Sequence, residues 1–128
     1  MARRNRVTLI LLTLALAMIA GTAWAHHSYA AYHNDQVLTI DGTLESFDMM
    51  NPHSLLKIRQ NEVVSVFEWR APNGLIRAGV HQGFFKPGER LIVSGNPHRE
   101  YEQNRVVNLK TLCRPSDQWA FPEGSGCK

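Results

Sequence analysis

The chain has 128 residues, 14 of them Lys or Arg and 11 Asp or Glu, for a formal charge of +3. Arg3, Arg4 and Arg6 carry all of that excess, and every acidic residue lies beyond position 25. The body of the protein is therefore formally neutral and lacks the basic footprint of a nucleic-acid binder.

The first 25 residues have the parts of a cleavable export signal: an n-region with three arginines, an apolar run from Val7 to Ala20, and the small-x-small site Ala23-Trp24-Ala25. The run is short for a bilayer span, and no cysteine follows it to carry a lipid. A cut after Ala25 leaves one domain, expected to be periplasmic and without a stable membrane anchor. That domain begins with His26 and His27.

Residues 26–36 read as an irregular, His-rich arm holding His26, His27, Tyr29, Tyr32 and His33. From Val37 to Phe47 apolar and polar residues alternate, the period of a strand with one wet face. Gly42 in its middle suggests a bulge or bend. Asn51-Pro52 is a turn signal. Further strands are expected over Ser54–Arg59 and, rich in Val and aromatics, over Glu62–Arg70. Pro72 to Gly79 reads as a short helix with Pro near its start and Gly as its stop. Lys86-Pro87-Gly88-Glu89 fits a type II turn. Strands over Arg90–Gly95 and Arg105–Leu112 flank a polar turn at Asn96–Asn104.

The order β-β-β-α-β-β predicts a mainly β domain over residues 37–112, a small five-stranded OB-like barrel with one short helix between strands 3 and 4. Residues 113–128 read as an irregular tail. In an oxidising compartment Cys113 and Cys127 are expected to close it as a disulfide that pins Trp119 and Phe121 to the domain.

Several of these segments together resemble a known family. They are His26-His27-Ser28, Asn51-Pro52-His53-Ser54, Pro72-Asn73 with Leu75, Arg77 and Gly79, and Lys86-Pro87-Gly88-Glu89 ahead of a Val/Ile strand. The chain resembles the small exported bacterial proteins called domain of unknown function 6152, over roughly His26 to Leu112. The resemblance implies an exported, small, β-rich protein and brings no activity with it.

The chemistry is in the histidines. Imidazole suits copper, zinc and nickel. An N-terminal histidine offers both an amine and a ring nitrogen, and because the amine has a pKa of about 8, protons compete little with a tightly held metal near neutral pH. A chain beginning at His26 resembles, in site and not in fold, the histidine brace of exported copper proteins. Asn-Pro-His occurs at 51–53 and again at 96–98, in the two loops that flank the usual OB ligand face. His26, His27 and His53 are the metal candidates, with His98 and Glu68 as secondary ones. Glu68 lies in phase with Val64 and Val66. It is expected either to serve a rim site or to pair with Arg70 or Arg77. His33 is expected to be a solvated arm residue, and His81 to serve the helix C-terminus.

Three readings follow. The first is a small exported protein that binds copper, less readily zinc, for carriage, buffering or sensing. The second is a metal-free OB interaction module whose Phe67, Trp69 and Tyr101 contact a periplasmic protein, a glycan or a small ligand. The core is the alternative place for Phe67 and Trp69. The third, ranked last, is an oxidase using bound copper. No nucleophile elbow, phosphate loop, HExxH or CxxC is present, and no catalytic residue is assigned.

Overall fold

The structure, a computed structural model, describes residues 30–127. The segment expected to be an export signal, His26 and His27 lie outside the described residues. The fold is carried by the compact unit that begins at Tyr32. Among the described residues no helix is long and apolar enough to cross a membrane.

From Tyr32 on, the described residues form six strands and two short helices in order: β1 Leu38–Asp48, β2 Leu55–Gln60, β3 Val63–Glu68, α1 Pro72–Arg77, β4 Arg90–Pro97, α2 Tyr101–Asn104, β5 Val106–Arg114 and β6 Trp119–Phe121. The sheet order is β3-β2-β1-β4-β5-β6, and β3 also pairs with β5. That last pairing is parallel, Val66 to Val106 through Glu68 to Asn108, and it closes the first five strands into a barrel. This is the expected OB-like architecture, with one strand added.

The closure depends on β1. Its first half pairs with β4, Leu38 opposite Gly95 through Thr43 opposite Arg90. Its second half pairs with β2, from Thr43 opposite Arg59 to Asp48 opposite Leu55. One strand serves two neighbours because it bends. The register slips between Leu44 and Ser46, so Leu44 and Phe47 both point inward although they are three apart. Gly42 sits at the crossing, where a Cβ would run into the Arg59 carbonyl. Gly95 plays the same part opposite the Asn108 carbonyl. The bend was legible from Gly42, but the bulge lies just beyond it.

Inside the barrel, Leu56, Ile58, Phe67, Leu91, Val93, Val107 and Leu112 are buried. Leu75 of α1, Val80, Phe85 and Trp69 join the same cluster. The helix stops as its sequence implies. Gly79 has φ +78°, Gly79 N–H donates to the Ile76 carbonyl and Val80 N–H to the Leu75 carbonyl. That is a Schellman motif sealed by buried Leu75 and Val80. Gly88 has φ +93° in the expected Lys86–Glu89 turn, closed by Glu89 N–H on the Lys86 carbonyl.

The tail is more regular than its composition suggests. Trp119–Phe121 extends the sheet by pairing with Leu112–Arg114, and Cys113 and Cys127 form a disulfide with Cα atoms 5.3 Å apart. This lays Phe121 on Trp69 (ring centroids 5.0 Å apart) and Trp119 on Phe85 (5.3 Å). Arg114 caps the cluster over Phe84 and Phe85 and is held there by Asp117 and Glu89.

Candidate functional site

At the end of the barrel where β3 and β4 finish, residues 32–36 cross the rim. His33 N–H donates to the Pro97 carbonyl, Asn96 Nδ2 donates to the Gln36 carbonyl at 2.6 Å, and Tyr32 forms an isolated antiparallel bridge with His98. The consequence is that Tyr32, outside every strand, is only 6% exposed. Its hydroxyl donates to Glu68 Oε2 at 2.6 Å. Burial first, and the Glu68 carboxylate second, push the phenol above its usual range. Tyr32 is therefore a neutral donor held on a carboxylate.

Glu68 stands on the outer face of β3 with the half-buried Val64 and Val66, as the alternation implied. The expectation was that it would serve a rim site or pair with Arg70 or Arg77; neither arginine is its partner. Instead its Oε2 takes the Tyr32 hydroxyl and lies 3.5 Å from His53 Nδ1. Arg70 instead covers the Phe121 ring, and Arg77 is an exposed residue in the last turn of α1. Sequence spacing could not find Tyr32, because the contact spans 36 residues; its one signal was being, with Tyr29, one of two aromatics in the His-rich arm.

His53 stands in the β1–β2 loop with its side chain 45% exposed. The loop is pinned on both sides. Gln82 accepts from Met49 N–H at 2.9 Å and donates to the Phe47 carbonyl at 2.8 Å. Ser54 exchanges backbone hydrogen bonds with Arg70 and Trp69. The Ser54 hydroxyl is buried and makes no hydrogen bond among the described residues.

The two Asn-Pro-His segments differ in chemistry. Glu100 N–H donates to His98 Nδ1 at 3.0 Å, so that nitrogen is the acceptor and the ring proton sits on Nε2. Asn104 Nδ2 approaches the same nitrogen at 2.8 Å. In this geometry His98 offers a metal no lone pair; it braces the turn that leads into β5, with its ring edge-on to Tyr32. His53 has no such lock. His81 Nδ1 lies 3.0 Å from the Gln82 carbonyl and its ring packs on Phe84, so it bonds there rather than at the carbonyls ending α1.

The proposed aromatic contact surface is corrected by burial. Phe67 is 0% and Trp69 4% exposed; both rings belong to the core and neither faces a ligand. β3 and the residue after it turn Ser65, Phe67 and Trp69 inward together. Tyr101 is half-buried, its hydroxyl 2.7 Å from Ser65 Oγ. It does line a surface hollow of about 420 Å³ with His33, Gln36, Pro97 and His98.

The structure thus brings His53 and Glu68 together, adds Tyr32, and sets His98 alongside in a different role. Among the described residues no group of three or more His, Cys, Asp or Glu side chains is arranged to hold a metal ion.

No curated protein and no solved structure matches the chain. The family described as "Family of unknown function (DUF6152)" matches residues 14–107. The match takes in the arm, the His53 loop, Glu68 and both turns of the rim, and ends before Cys113. Covering well over half of the sequence, it establishes that the chain belongs to the family of unknown function DUF6152.

Proposed function

We propose that this protein is exported and binds a transition-metal ion, copper before zinc, where the arm meets the barrel rim. Its role is carriage, buffering or sensing in the periplasm. The supporting observation is the Tyr32–Glu68 hydrogen bond beside His53, which fixes the arm six residues after His26. Six residues of extended chain span about 20 Å, so a free N-terminus at His26 can reach His53 and Glu68. The amine and ring of His26, the ring of His27 and the ring of His53 then supply nitrogens, and Glu68 an oxygen, a set suited to Cu(II). His53 and Glu68 are only two donors, so tight binding requires the arm. Tyr32 holds Glu68 in place, as partners outside the coordination shell orient a ligating carboxylate.

The test is Cu(II) titration of protein exported under its own signal, with its first residue read by intact mass. The expected result is one tightly held ion per chain, lost or weakened at least about 100-fold (about 2.7 kcal/mol) by His26→Ala or by one extra residue ahead of His26. Micromolar or weaker binding that His26→Ala leaves unchanged overturns the reading.

The hollow beside Tyr101 favours one other reading, a metal-free module for a periplasmic protein, glycan or small ligand. Under it a chelator changes nothing, and Tyr101→Ala abolishes capture of the partner.

A further inference from the structure

The β1–β2 loop carries a second donor, one that the histidine pattern does not reveal. The ladder ends with Asp48 opposite Leu55. Beyond that pair, residues 49–54 form the loop, with the chain bending at Asn51 and Pro52. Met50 and His53 therefore flank that bend, three residues apart. Three Cα steps bound their separation at roughly 11 Å, and the reversal shortens it. Both sides are anchored below, by Gln82 on Met49 and by the Ser54 backbone.

Met49 packs on the core, but Met50 is 48% exposed, one of four large hydrophobic residues so exposed among those described. A thioether is a soft, uncharged donor on a flexible stem, and soft sulfur selects Cu(I) where imidazole and carboxylate alone suit harder ions.

We propose that Met50 is a sulfur ligand of the rim site, and that together with His53 it lets this protein hold copper as the cuprous ion. This rests on the metal-binding reading above and deepens it, by naming the oxidation state and a ligand from the barrel itself. The loop supplies sulfur and nitrogen from Met50 and His53. Glu68, which carries hard oxygen and already accepts from Tyr32, matters less for Cu(I) than for Cu(II). No electron transfer is implied; the cuprous ion is bound as supplied.

The experiment is competition for Cu(I), kept reduced by ascorbate without oxygen, between the exported protein and a chromogenic cuprous chelator. Cu(II) titration is run on the same samples. Met50→Leu keeps the volume of an exposed side chain and leaves the fold intact, which circular dichroism checks. The expected result is at least about a tenfold loss of Cu(I) affinity in Met50→Leu with Cu(II) affinity within about threefold of the parent. Unchanged Cu(I) affinity, or equal losses for both ions, overturns the proposal. A parent protein that binds neither ion overturns the metal-binding reading as well. Loss of Cu(I) affinity in Met50→Leu but not in His26→Ala leaves the loop site standing and removes the N-terminal chelate.

Discussion

Tyr32→Phe tests the contact on which the site is built. The substitution keeps the buried ring, with its edge-on contact to His98, and removes only the hydroxyl that donates to Glu68. A hydrogen bond to a charged group contributes about 1.5–3 kcal/mol. The Glu68 side chain is 31% exposed, so water replaces part of the lost bond and the expected loss falls to about 1–1.5 kcal/mol. For a domain near 100 residues that lowers Tm by roughly 5–10 °C. Urea unfolding at neutral pH reads the free energy directly. A cycle with Glu68→Gln isolates the pair, and a coupling near 1 kcal/mol is expected. The pH dependence adds a sign. The folded phenol's pKa is raised, so its stabilisation is present in full below the ordinary tyrosine value of about 10. It is lost as pH climbs beyond that, because the unfolded chain releases the proton first. The gap between parent and Tyr32→Phe should stay constant from about pH 6 to 9 and narrow above about pH 10. A loss below about 0.5 kcal/mol, or one that persists once Glu68 is replaced, refutes the reasoning.

Breaking the disulfide by Cys113→Ser with Cys127→Ser opens a loop of about 15 residues and should reduce stability by roughly 3 kcal/mol; urea midpoints with and without reductant check it, and a reductant-insensitive parent sinks it. Gly95→Ala drives a methyl into the Asn108 carbonyl at the barrel seam. A loss of about 3 kcal/mol, at the upper end for overpacking, is expected in thermal unfolding, and a neutral result means that β4 and β5 are not so close. Ser54→Ala removes a buried hydroxyl with no hydrogen bond among the described residues while keeping the backbone anchors; it should be neutral or stabilising by up to about 1 kcal/mol, and a clear loss in the same assay shows a hidden partner.

The local elements were legible because their causes are local. Alternation marked the strands, Pro72 and Gly79 bounded the helix, and Lys86-Pro87-Gly88-Glu89 named its own turn. The order of those elements was enough for a five-stranded barrel, since few topologies fit β-β-β-α-β-β. The chain's two cysteines, both near its C-terminal end, were enough for their disulfide. The tail strand was missed because Trp119–Phe121 is three residues long, too few for a period. It exists because β5 offers an edge and the disulfide holds the tail against it.

The rim is a different matter. Sequence singled out His53 and Glu68, but left the glutamate between a rim site and a pairing with arginines near it along the chain. Only closure of the barrel brings residue 32 to residue 68, and the Tyr32 hydroxyl then takes the carboxylate that Arg70 and Arg77 do not reach. The two Asn-Pro-His segments are identical as words. They diverge because one precedes a short helical turn whose Glu100 N–H claims the ring nitrogen, while the other crosses a pinned loop open to solvent. A residue's type is written in the chain, but which lone pair stays available depends on what the fold sets against it.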